Sequence, residues 1–398
     1  MGLVDRLRKP LKSRVKRALA GDDVDALVGR RDRRRLRWLV QEGDDPVVRF
    51  RALRALAELG DADAAPVLVS VLDEAAGDPE TACVRVAAEG LGRLRHEGSA
   101  TALRRLLTPE RPAQVQLAAA RALATLGASE DWAAIRRWAT ERELTPDDRD
   151  ASDPLGADAG PPGTERVALV LQTLFADKAG RWWANKARTW LEGDEARPRI
   201  PAMEGADRIV AQQLRTSLDR KELDGAERRR TLLHLGALSL DRDQALLAGL
   251  GEGRDVVQAL GLQGDPRSQG TLLAVAGRVG SAEEAQDVLR ALGRLGWRGA
   301  EDAMAQLRDA WDDEGVRSEA AWALGEVGGE VAVRHLMDDL RKRAERGDPT
   351  ETEYRWIAAA LRRCGIRGRE AIRGARTIAI SSGERRRLET VAELAGIP

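Results

Sequence analysis

The chain has 398 residues with zero formal net charge, 43% of them hydrophobic, 33% charged and only 3% aromatic. That length exceeds what one compact core usually takes, so several domains or an elongated repeat array is expected. Two distant cysteines and the lack of any long apolar run exclude a disulfide framework, a cysteine metal cluster and a membrane-spanning helix, and apolar material dominated by Ala, Leu and Val suits packed helices.

Residues 1–40 hold thirteen Lys or Arg against five Asp, a net charge of +8. Within them, 2–21 reads as a basic amphipathic helix with Leu3, Val4, Leu7, Leu11, Val15, Ala18 and Leu19 on its apolar side and Pro10 as an interruption. Such a helix caps a first repeat with a solvated basic face, and the same charge suits an anionic membrane or nucleic acid. It lacks the apolar core of a secretory signal, so a cytoplasmic protein is expected. Arg30, Arg31, Arg33, Arg34, Arg35 and Arg37 continue the basic run and are the first candidates for contact with an acidic partner.

From residue 41 the chain repeats itself. ALAELG at 55–60 returns as GLGRLR at 90–95, ALATLG at 122–127, ALGLQG at 259–264, ALGRLG at 291–296 and ALGEVG at 323–328, with echoes at 360–365 and 391–396. Apart from the gap between 127 and 259, neighbouring copies are 31 to 37 residues apart. In the unit 45–74, Asp45 is a suitable N-cap, Pro46 a suitable first helical residue and Gly60 a left-handed stop. Val48, Ala52, Leu56 and Leu59 mark one apolar stripe, and Val67, Leu68, Val71 and Leu72 a second. A helical hairpin with two such stripes cannot bury both alone. Stacked on copies of itself it can, which predicts a right-handed all-α solenoid.

This unit resembles the HEAT-like repeat of phycobilisome lyases. The resemblance rests on the Asp45-Pro46 start, the Val48-Arg49 pair and the Ala55–Gly60 close; Val84-Arg85 and Val316-Arg317 repeat the pair, while Val115-Gln116 departs from it. It covers roughly 45–140 and 245–340. It implies an α-solenoid (superhelix) of HEAT-like hairpins in which Arg49, Arg85 and Arg317 support the ladder between repeats. Bilin attachment is the lyases' own chemistry, and no second feature of this sequence accompanies it.

The expected organisation is a basic helical cap at 1–40, HEAT-like repeats at 41–142, an insertion at 143–164, divergent Trp-rich hairpins at 165–244 and HEAT-like repeats at 245–398. The insertion holds four Pro and five Asp without apolar periodicity. After it, Arg181, Trp182, Trp183, Lys186, Arg188 and Trp190 form the most unusual local cluster. Trp and Arg are favoured at binding hot spots and can stack on nucleobases; as core filler, Trp190 and one of the adjacent pair would occupy space left by Ala-rich repeats. Residues 341–390 carry +7, leaving −14 by difference on 41–340.

Catalysis finds little support. His96, His234 and His335 lack ligand spacing, and Cys83 and Cys364 lie in apolar helical patterns as buried small side chains. Asp148, Asp150 and Asp153 fail the calcium-loop pattern, with Asp at its glycine position and Ala159 at its final glutamate. Gly249, Gly251 and Gly253 lack the strand a phosphate loop needs. HEAT-like glycosylases for alkylated bases share the architecture and a Trp/Arg inventory, but no motif of theirs maps here. The reading is a non-catalytic scaffold without cofactor or metal. Its one continuous array binds another protein on a concave face lined by the second helices, with nucleic acid as the second candidate partner.

Overall fold

The computed structural model describes residues 24–60, 62–74, 80–126, 128–141, 225–238, 243–346, 350–379 and 381–397, with scattered positions between 212 and 218. Among them the chain is all helix, without a strand. A first stack comprises α1 (Val24–Arg30), α2 (Arg33–Glu42), α3 (Pro46–Leu59), α4 (Ala65–Glu74), α5 (Thr81–Arg93), α6 (Ala100–Arg104), α7 (Ala113–Leu126) and α8 (Ser129–Glu141). A second comprises α9 (Gly225–Leu238), α10 (Asp243–Gly249), α11 (Arg254–Gln263), α12 (Gln269–Ala276), α13 (Ala282–Leu295), α14 (Glu301–Ala310), α15 (Glu314–Val327), α16 (Gly329–Arg346), α17 (Glu351–Arg363), α18 (Gly365–Ile378) and α19 (Ser382–Leu394). The segment 2–21, the insertion 143–164 and the cluster at Arg181, Trp182, Trp183, Lys186, Arg188 and Trp190 lie outside the described residues, as does the side chain of His234.

Local chemistry sets the hairpins. The Asp45 carboxylate accepts from the N–H groups of Val47 at 2.8 Å and Val48 at 3.2 Å, with Pro46 opening α3 and Gly60 closing it at φ 67°. The cap recurs at Asp313, which accepts from Val316, and at Thr350, whose exchange with Glu353 forms a full capping box. Each such cap contributes about 1 kcal/mol. Leu53, Leu56, Leu68, Leu91 and Leu123 are wholly buried in the shared core. Leu59 and Val48 of the predicted stripe are half-buried at its edge.

Glycines inside the first helices let those helices pack closely. A Cβ on Gly92 of α5 would lie 2.7 Å from Cα of Ala122 on α7, and one on Gly261 of α11 would lie 2.6 Å from Cα of Ala291 on α13. First helices therefore approach backbone to backbone, whereas the longer side chains of the second helices hold those farther apart.

The two stacks also meet each other. Arg54 on α3 pairs with Asp265, 211 residues away, and the Phe50 ring stands edge-on to Trp297 at 5.9 Å. The two described stacks are thus joined along their inner edges.

Candidate interaction surface

The seam joins the helix starts and inner faces of the first stack to the helix ends of the second. Arg85, in the first turns of α5, donates to the Gly264 carbonyl at 2.7 Å and the Arg294 carbonyl at 3.0 Å. These carbonyls close α11 and α13, where intrahelical donors run out, so a side chain from the other stack caps both helices. Arg85 is therefore not a rung between neighbouring repeats, as the family pattern implied. Burial lowers its pKa, against the opposing charge of Glu89. Gly264 and Gly296 close their helices at φ 64° and 60°, and a Cβ on Gly264 would collide with the Arg85 guanidinium. The stop glycines also make room for the opposite stack.

Three acids complete the seam, one of them Glu80, which accepts from the Arg298 N–H at 3.3 Å. Asp265 accepts from Arg54 at 3.0 Å and from the Arg267 side chain at 2.6 Å, and both Arg54 and Asp265 are almost wholly shielded from solvent. Burial pushes the Asp265 carboxyl up, but the Arg267 hydrogen bonds and the Arg54 charge outweigh it and hold the pKa below the usual value. Glu326 on α15 accepts from the Ala113 and Gln114 N–H groups at 3.0 and 3.2 Å, capping α7 from the other stack. Its backbone carbonyl accepts from Thr81 Oγ1 at 3.0 Å. Positive helix starts facing negative helix ends add favourable dipole interactions.

Outside the seam, a series of arginines pairs with acids about one repeat away. Arg51 meets Asp25, Arg254 meets Asp287, Arg290 meets Glu319, Arg308 meets Asp339 and Arg317 meets Glu353. Arg317 thus serves the ladder the family pattern implied, while Arg49 lies half-buried on α3. His335 bonds to Asp302 at 2.7 Å, and His96 opens a short turn ahead of α6. Cys83 and Cys364 are half-buried rather than fully buried, and they form no disulfide.

The basic run of α1 and α2 divides. Arg37 donates to the Asp63 carbonyl at 3.2 Å and tethers α2 to the next hairpin. Arg33 and Arg35 are half-buried and engaged in contacts. Arg30, Arg31 and Arg34 are exposed, and among the described residues their guanidinium groups meet no carboxylate. They do not converge with the other basic end. The seam pairs α3 with the turn after α11, α5 with the ends of α11 and α13, and α7 with α15, so it advances in one direction along both stacks. α1 and α2 therefore lie at one end of the molecule, and α18 and α19 at the other.

Residues 48–74 and 316–338 match the PBS lyase HEAT-like repeat family. The chain carries PBS lyase HEAT-like repeats. No curated protein matches it. Among solved structures it is similar to human deoxyhypusine hydroxylase in complex with glycerol, at 20% identity over 85% of this chain and 97% of that one, with a TM-score of 0.26. Among the described residues no helix is long and apolar enough to cross a membrane. Asp265, Glu326 and Arg54 went unrecognised as seam residues because Asp265-Pro266 and the Gly264 stop look like ordinary repeat punctuation. Glu326 likewise sits within a repeat close, as Glu58 does in its own repeat, so nothing in the sequence sets it apart.

Proposed function

We propose that the protein is a HEAT-repeat scaffold, without cofactor or metal, that binds another protein through surfaces at the ends of its stacks, in a cytoplasmic setting. One observation carries this reading. The inner edges are occupied by the seam and a series of ladder arginines is paired, while Arg30, Arg31 and Arg34 are exposed and meet no carboxylate among the described residues. The separation of the two basic ends favours separate protein contacts over one continuous nucleic-acid track, which needs basic side chains along a single path. The cluster at Arg181 through Arg188 is kept as a further proposed contact on grounds of residue type alone.

The test combines two measurements on the full chain. Cross-linked capture from the source cell, with wild type and an Arg30→Glu/Arg31→Glu/Arg34→Glu variant, is expected to yield a protein that the variant loses. Affinity for short DNA and RNA, single- and double-stranded, is measured across a salt series. Tight binding that falls steeply with salt and vanishes in the same variant would replace the scaffold reading with nucleic-acid binding.

A further inference from the structure

The ladder of paired arginines breaks off on α18. Arg367, in its first turn, still reaches Glu330 of the preceding repeat at 3.7 Å. Beyond it, Arg369, Arg373 and Arg376, with Arg385 and Arg386 on α19, meet no carboxylate among the described residues. Arg373, Arg385 and Arg386 are exposed. The spacing Ile366, Arg369, Arg373, Arg376 follows the helical three-and-four rule, so these residues share one face. Ile366 is 55% exposed and Ile378, at the end of the same helix, 73%. Arg369 and Arg376 are half-buried, so the face sets an exposed isoleucine beside guanidinium groups that no described acid matches.

We propose that this face of α18 docks an acidic amphipathic helix of a partner protein, an inference that rests on the scaffold reading and adds a second site at the opposite end. Three features select that occupant. Ile366 lies in line with the arginines and asks for an apolar complement beside the carboxylates, which a Glu- and Leu-bearing helix provides. Glu370 is exposed on the same face and would repel the continuous charge of a nucleic-acid backbone or an anionic bilayer, whereas a peptide can place a neutral or basic residue opposite it. A second copy of this chain is disfavoured end to end, because its α1–α2 end presents Arg30, Arg31 and Arg34 to the same arginines. From Ile366 to Thr377 the face runs about 16 Å at roughly 1.5 Å per residue, which matches about three turns of a partner helix.

The experiment titrates the full chain into a labelled peptide of about 18 residues carrying Glu and Leu at helical spacing, and separately into a DNA duplex and phosphatidylserine vesicles. The peptide is expected to bind most tightly. Arg369→Glu/Arg373→Glu should weaken it by about tenfold or more, and Ile366→Ser by roughly threefold with little change in salt dependence. Circular dichroism checks the fold of each variant, and the single Arg373→Gln substitution serves if the double variant unfolds. The Arg278→Gln protein, changed at an exposed arginine away from both ends, should bind the peptide as wild type does. No peptide binding at low salt, indifference to the α18 substitutions, or preference for duplex or vesicle overturns the proposal. The scaffold reading would survive such a failure, because it stands or falls on the partner captured through Arg30, Arg31 and Arg34.

Discussion

Arginines on the seam and arginines on α18 are the same residue in the same repeat grammar, yet they do opposite things. On the seam Arg54 and Arg85 are buried, and their donors meet Asp265 and the carbonyls of Gly264 and Arg294. On α18 Arg373 is exposed and Arg369 and Arg376 half-buried, and among the described residues they meet no carboxylate. The difference lies in what the opposite surface supplies. Where two stacks meet, helix ends offer carbonyls and an acid at fixed positions, so the arginine becomes part of the core. Where no described residue offers α18 a carboxylate, the same side chain stays available. An arginine's role here is therefore set by tertiary placement rather than by its position in the repeat.

Removing an acid from the seam should give the largest effect. Asp265→Ala removes the fully buried partner of Arg54 and leaves it Glu58 at 3.6 Å at the edge of the site, and breaking a buried pair by deleting one partner costs about 3–5 kcal/mol. Urea unfolding is expected to show a midpoint lowered in proportion, whereas Arg373→Glu should shift stability by less than about 0.5 kcal/mol. A small loss for Asp265→Ala would mean that the two stacks are not held by this pair, and the contrast between the regions would collapse.

Acidity probes the same pair more gently. The Asp265 pKa is held below its ordinary 3.8 in the folded chain, so the folded state binds its proton more weakly than the unfolded state. Its contribution is fully present above that ordinary value and is lost as pH falls through the lower folded value. The stability gap between wild type and Asp265→Asn, measured by urea at a series of pH values, should be constant near neutrality and shrink in acid below about pH 4. A gap unchanged down to the acid limit would show that the carboxylate charge contributes nothing to the seam.

Much of the fold could be read from the chain because it is local. Asp45, Pro46 and Gly60 act on their own helix, and the Val67–Leu72 stripe needs only its own hairpin and the next. The seam could not be read, because Arg85 and Gly264 are 179 residues apart and each also makes sense within its own repeat. The close approach of the first helices is hidden for a similar reason: Gly92 and Gly261 look like weak helix positions until a neighbouring backbone is seen against them. Of the predicted basic run, Arg37 is used in packing and Arg30, Arg31 and Arg34 remain exposed. The residue type marked the surface, but only the burial of each side chain divided it.

Arg31 gives the smallest predicted effect and a discriminating one. It occupies the turn between α1 and α2 at φ 55°, a left-handed conformation that favours glycine. Its N–H donates to the Val28 carbonyl at 3.0 Å and the Asp32 N–H to that of Leu27 at 2.9 Å, the helix-closing pattern in which glycine is the usual residue. An L-residue there costs roughly 1–2 kcal/mol, partly offset by the greater chain entropy glycine would bring to the unfolded state. Arg31→Gly should therefore leave stability unchanged or raise it by up to about 1 kcal/mol, while weakening capture of the partner. If instead the substitution destabilises the chain by more than that, the Arg31 side chain holds the turn together. It would then belong with the seam arginines and not with the exposed ones.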